Sequence, residues 1–107
     1  VEKYALTLPP LKEVEVYMAT FAAGASTGDM AYAHGDSLEI FVVLNGRVVL
    51  ELDGTRHTMG PRDSIEYRSS MPHKVTNVGP GPAEVMWITS PPTTVAGQLS
   101  HIAAGEK

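Results

Sequence analysis

The feature that most constrains this chain is an alternation of apolar and polar residues at period two, in segment after segment, with no helical stretch between them. Val14, Val16 and Met18 alternate with Glu13, Glu15 and Tyr17. Val48, Leu50 and Leu52 alternate with Arg47, Glu51 and Asp53, with Val49 as the one interruption, and Ile65 and Tyr67 alternate with Ser64, Glu66 and Arg68. Successive side chains of a strand point to opposite faces, so each segment reads as a strand with one wet and one buried face. On this reading Val14, Val16 and Met18 turn inward, and Tyr17 and Phe21 share the opposite, outward face. The run Leu38 to Leu44 is rich in β-branched and aromatic residues and predicts a more central strand. Ala83 to Thr89 predicts the last strand, and Tyr32 and His34 fall two apart on another.

Turn chemistry supports this reading. Asn45-Gly46 and Asp53-Gly54 predict hairpins, and Gly79-Pro80-Gly81-Pro82 a further connection. Strands therefore recur every ~8–12 residues, which gives an all-β antiparallel sandwich or barrel. Ser90-Pro91-Pro92 stops the last strand, and the segments divide as an N-terminal arm at 1–12, a barrel at 13–92 and a small, polar tail at 93–107.

With 107 residues the chain has room for one core. Eight Lys and Arg against 12 Asp and Glu give a net charge of −4 with no basic run, which argues against direct nucleic-acid contact or a grip on an anionic membrane. No apolar run approaches the ~18 residues that span a bilayer, and no signal-peptide pattern is present, so a cytoplasmic location is expected. The absence of Cys removes disulfides, thiolate metal sites and Cys nucleophiles together. The chain begins at Val1, which suggests a trimmed start or a piece of something longer.

Four His residues are present. Glu39 shares a strand face with Phe41 and Val43 and is expected to point inward, where an unpaired carboxylate is costly. His34 and His73 are its candidate partners. Two imidazoles and a carboxylate can hold a divalent first-row metal with open positions; a His–Glu contact across a pocket with no metal satisfies the same residues. His57, beside Arg56 on a short strand, suits a structural or surface role, and His101 lies in the tail.

The stretch Gly24 to Pro92 resembles the cupin superfamily, whose first motif runs His-x-His, three or four residues, Glu, six residues, Gly. Here it reads Tyr32-Ala33-His34, four residues, Glu39, six residues, Gly46. His73-Lys74-Val75-Thr76-Asn77 resembles the end of the second motif. The resemblance implies a single-domain double-stranded β-helix, or jelly-roll barrel, with His34, Glu39 and His73 on three of four metal-ligand positions and Fe, Mn, Ni or Zn as the metals expected. Tyr32 stands where the first His ligand falls. A phenol with a pKa near ~10 is a poor ligand, which weakens metal binding and leaves Tyr32 as a hydrogen-bond donor to a ligand, a proton-transfer group or a pocket wall. Arg62 stands where the family usually has Gly before Asp63, and if the turn needs positive φ this costs on the order of 1 kcal/mol.

HGDSLEIFVVLNG and GPRDSIEYRSSMPHKVTN, closing with WITSPP, are most similar to the C-terminal cupin domain of XRE-type helix-turn-helix regulators. That resemblance implies a domain that senses a small-molecule effector and dimerises, with Tyr32, Phe41, Tyr67 and Trp87 lining the ligand site and DNA contacts made by an N-terminal domain outside this segment. The alternative is a stand-alone metal-dependent enzyme, a dioxygenase, isomerase or lyase, on His34, Glu39 and His73. A homodimer is expected, with Tyr17 and Phe21 as candidate outward aromatics; cover from the segment around Leu8-Pro9-Pro10-Leu11 is the alternative for that face.

Overall fold

The computed structural model describes residues 1–27 and 36–93, and every regular element among them is a strand. These are β1 (Glu2–Ala5), β2 (Glu15–Phe21), β3 (Leu38–Asn45), β4 (Val48–Leu52), β5 (Thr55–Met59), β6 (Ser64–Arg68), β7 (His73–Asn77) and β8 (Ala83–Ser90). They form two antiparallel sheets, one of five strands in the order β1-β2-β8-β3-β6 and one of three in the order β5-β4-β7. The inner faces meet over Phe21, Phe41, Val43, Val48, Leu50, Val75 and Val85, each at most 1% exposed. Burying a side chain of this kind stabilises the fold by roughly 1.5–3 kcal/mol. The expected all-β barrel is therefore present. The predicted strand through Tyr32 and His34, and the tail beyond Thr93 with His101, lie outside the described residues.

The turns divide into two kinds. Asp53 (φ 48°) and Gly54 (φ 86°) join β4 to β5 with Leu52 opposite Thr55, the left-handed pair of a two-residue hairpin, as Asp-Gly predicts. Asn45-Gly46 makes no hairpin. It carries the chain from the larger sheet to the smaller, and β3 pairs with β6 and β8 rather than β4. Gly46 has φ 86°, and a Cβ there would sit 2.7 Å from the Cα of Ala83, so the corner closes only with glycine. Arg62 does adopt a left-handed conformation, φ 74°, with its amide on the Val43 carbonyl at 2.8 Å and the neighbouring Asp63 carboxylate accepting from the Gly60 amide at 2.8 Å.

Within the N-terminal arm, β1 pairs with β2 from Glu2↔Thr20 to Ala5↔Tyr17 and forms an edge of the larger sheet. One expectation about the N-terminal third is corrected: the phase of β2 is opposite to that expected. Tyr17 (4% exposed) and Phe21 (0%) face the interior with Glu15 (1%), while Val14 is exposed and Val16 and Met18 are half-exposed on the outer face. Phe21 and Ala19 are core residues, and Glu15 follows them inward because the strand repeat leaves it no choice.

Asn77 closes one end of the interior. Its side-chain nitrogen lies within hydrogen-bond distance of the carbonyls of Phe21 (3.0 Å), Ala22 (3.1 Å) and Gly81 (2.8 Å), and its oxygen accepts from the Gly79 amide at 2.9 Å. Ser69 and Ser37 have a comparable task nearer the other end. Ser69 Oγ accepts from the Ser37 amide at 2.8 Å, the Ser69 amide donates to the Ser37 carbonyl at 2.8 Å, and Ser37 Oγ donates to the Pro91 carbonyl at 2.6 Å. Arg68, hydrogen-bonded to Asp36 at 3.2 Å, holds that carboxyl below its usual range on the outside of the same junction.

Candidate functional site

The register of the larger sheet writes its inner face in rows. Glu39 lies opposite Tyr67 on one side and Thr89 on the other, and Thr89 opposite Glu15, so β6, β3, β8 and β2 contribute a polar row at the end of the sheet remote from Ala83 and Phe21. The next row is apolar: Ile65, Phe41, Trp87, Tyr17 and Ala5. The Phe41 and Trp87 rings are 5.4 Å apart at 49°, a tilted arrangement that suits aromatic quadrupoles.

Glu39, 2% exposed, is held from three sides. Tyr67 donates its hydroxyl to Oε1, Thr89 Oγ1 donates to Oε2 at 3.0 Å, and His73 Nε2, arriving from the smaller sheet, lies 3.6 Å from Oε1. His73 Nδ1 is 2.7 Å from the Met71 carbonyl, a contact that requires the proton on Nδ1 and leaves Nε2 facing the carboxylate. The His73 ring also packs on Tyr67, with centroids 5.1 Å apart. The carboxylate that the sequence turns inward is thus matched by the hydroxyls of Tyr67 and Thr89, which offsets its desolvation.

Five residues predicted from the sequence, Glu39, Phe41, Tyr67, His73 and Trp87, come together on this inner surface. Tyr67 is more than a wall, since its hydroxyl binds the carboxylate. Tyr32 and His34 lie outside the described residues. His57 is half-buried on β5 opposite Leu50.

For a metal, Glu39 and His73 offer two donors, and His73 has the fixed remote nitrogen common to metal-bound imidazoles. Both Glu39 oxygens already accept hydroxyl protons, and among the described residues no group of three His, Asp or Glu is arranged to hold an ion. These residues do not by themselves complete a metal centre.

Four residues at the site escape the sequence reading. Thr89 is two positions from Trp87 on β8 and was legible by phase. Glu15 and Tyr17 were hidden by the inverted phase of β2; Tyr17 donates its hydroxyl to Glu15 at 2.9 Å, and Glu15 also accepts from the Thr93 amide at 2.8 Å. Lys3 had no signal at all. Its ammonium lies 4.9 Å from the centroid of Tyr17 and 5.1 Å from that of Trp87. Burial pushes the Lys3 pKa below the usual 10.5, against an upward pull from Glu39 and Glu15. The Trp87 indole nitrogen is buried with no hydrogen-bond partner among the described residues.

Residues 17–89 match the family described as Cupin domain. Over 56 residues the chain is 41% identical to an uncharacterized protein of Archaeoglobus fulgidus, covering 52% of this chain and 53% of that protein. The chain spans between half and two thirds of the length of the curated relatives it matches. Among solved structures it is similar to the Cupin_2 domain of an XRE family transcriptional regulator from Enterobacter cloacae, with a TM-score of 0.70 and 20% identity over 86% of this chain and 99% of that one. It is also similar to KdgF from Halomonas sp., with a TM-score of 0.72 and 20% identity over 84% of this chain and 77% of that one. At such identities the likeness concerns the fold. Among the described residues no helix is long and apolar enough to cross a membrane.

Proposed function

The chain belongs to the cupin family, and on that premise we propose that it is the effector-sensing and dimerising domain of a transcriptional regulator, with DNA contacts made outside this segment. The observation that carries the reading is the inner polar row: buried Glu39 matched by the Tyr67 and Thr89 hydroxyls and faced by His73, beside the indole nitrogen of Trp87, which has no hydrogen-bond partner among the described residues. A mostly apolar pocket with a few converging polar groups is the usual form of a small-molecule site. The near-complete overlap with the XRE regulator's cupin domain and the net charge of −4 agree with a sensor that leaves phosphate contacts to another domain.

The dimer has a different basis from the one the sequence suggested, since Tyr17 and Phe21 are interior. The outer face of the larger sheet carries Val16, Met18, Ile40, Val42, Met86 and Ile88, all half-exposed and in register with one another. A contiguous apolar sheet face suits packing against a second copy. Ligand binding between the sheets would then bias how two copies pack, and through them the attached DNA reader.

Reading the frame upstream of the Val1 codon tests the assignment. A helix-turn-helix there supports it, and an immediate start codon contradicts it. The competing metalloenzyme reading is favoured by one observation, the presentation of His73 Nε2 toward Glu39. In that case His34, Glu39 and His73 would hold a divalent Fe, Mn, Ni or Zn ion that supplies Lewis acidity. Elemental analysis of tag-free protein checks it: a stoichiometric metal lost in His73→Ala favours the enzyme, and no metal after growth and dialysis under metal-replete conditions removes it.

A further inference from the structure

Resting on the reading of this inner surface as a small-molecule site, we propose that its ligand carries an alkylammonium group, and that the Lys3 ammonium fills the place of that group when no ligand is bound. The register Lys3↔Ala19 puts Lys3 on the inner face, one row from Tyr17 and Trp87. From there its stem carries Nζ to within 4.9 Å and 5.1 Å of the Tyr17 and Trp87 ring centroids, inside the ~6 Å over which a ring face attracts a cation. The carboxylates of Glu15 and Glu39, 1% and 2% exposed, both act on this ammonium. Two aromatic faces and two buried carboxylates form the recognition chemistry of an organic cation, and a cation is what the fold has put there.

The same charges argue against an anionic ligand. Among the described groups of this surface, Glu15 and Glu39 outnumber the one ammonium, and the Tyr67 and Thr89 hydroxyls that would greet an anion are already turned to Glu39. The buried Trp87 nitrogen, without a partner among the described residues, marks the wall against which a ligand would settle.

Lys3 is also easy to displace. It sits on a four-residue strand at a sheet edge, paired on one side only. Burial costs the ammonium hydration that it regains on swinging out. A free alkylammonium therefore competes with a tethered one, and the N-terminal strand sets the threshold for binding.

Trp87 is the only tryptophan in the chain, so its emission reports on this surface without a label. The test titrates n-butylammonium chloride and sodium butyrate, at constant ionic strength, into wild type, Lys3→Met and Lys3→Arg, with circular dichroism confirming that each is folded. Lys3→Met removes the tethered cation and keeps an apolar stem; Lys3→Arg keeps a cation. The expected result is a saturable Trp87 response to butylammonium in Lys3→Met at concentrations about tenfold lower than in wild type, with Lys3→Arg close to wild type. The proposal is overturned if folded Lys3→Met shows no saturable response to butylammonium, or binds it no better than wild type does. A saturable response to butyrate in wild type that disappears in Lys3→Met also overturns it. That last outcome makes Lys3 an anion contact while leaving the small-molecule reading of the site in place.

Discussion

On the inner face of the five-stranded sheet, Lys3, Glu15, Glu39 and Thr89 sit among Tyr17, Phe41 and Trp87, whereas the outer face presents Val16, Met18, Ile40, Val42, Met86 and Ile88 at partial exposure. A sheet under selection for stability alone would exchange these sets, because burying carboxylates costs free energy and apolar side chains in water return none. The inner charges persist because neighbours match them: the Tyr67 and Thr89 hydroxyls serve Glu39, and Tyr17 and Thr93 serve Glu15. Such partners are exchangeable for those of a ligand. Among the described residues the outer side chains stay half-exposed, and the proposed second copy would cover them. Under the proposed function, this inversion gives each face a binding task.

The largest effect is expected on the outer face. Met86→Asp puts a charge at the centre of the apolar surface, and the protein should sediment as a monomer where the assembly proposed for wild type is a dimer, with association weakened more than about 100-fold and circular dichroism unchanged. Wild type that is already monomeric at micromolar concentration would break the outer half of the comparison. Next comes Asn77→Ala, at the closed end of the interior. It strands the Phe21, Ala22 and Gly81 carbonyls and the Gly79 amide, and should cost about 3 kcal/mol, lowering the thermal midpoint by roughly 10–20 °C. A loss well below 1 kcal/mol would mean that water satisfies those groups.

A smaller, pH-dependent effect sharpens the inner half. Lys3 has a native pKa below its unfolded value of 10.5, so between the two the unfolded chain binds the extra proton and stability rises with pH. The stability of wild type relative to Lys3→Met should therefore increase as pH climbs toward 10.5 in urea titrations, and a flat difference would place the ammonium in water. The smallest change lies on neither face. Arg62→Gly relieves a left-handed conformation and should raise stability by about 0.5–1 kcal/mol without altering assembly. Destabilisation would show that the Arg62 side chain contributes more than its backbone costs.

The same inversion decides what was legible in the sequence. A strand whose inner face is apolar and whose outer face carries a charge, such as β4 with Glu51, could be phased correctly from alternation. On β3 the inward Glu39 was recovered because Phe41 and Val43 outweigh it. On β2 the signal failed, since Glu15 is inside and Val16 and Met18 are outside, so hydropathy pointed the wrong way. The corner at Gly46 carries a strong hairpin pair, yet the close approach of Ala83 from a distant strand decides its geometry, and local chemistry does not encode that approach. Lys3 was invisible for a related reason: a four-residue edge strand gains its order from pairing with β2, and nothing in its own pattern announces it. The strained turn at Arg62, by contrast, was readable from a single substitution in the motif.

The claim at the centre of this account is that the polar row around Glu39 binds a small molecule, and Trp87 emission tests it most directly. Wild type and Glu39→Gln would each be titrated with n-butylammonium, butyrate, glucose and Zn2+. Because Glu39→Gln keeps the shape of the side chain and removes its charge, the variant should remain folded, with stability within about 2 kcal/mol of wild type. The account predicts a saturable change in wild type with at least one of these probes and its loss, or a shift of about tenfold or more to higher concentration, in Glu39→Gln. Equal titrations in the two proteins, or no saturable response in wild type to any of the four, would contradict it.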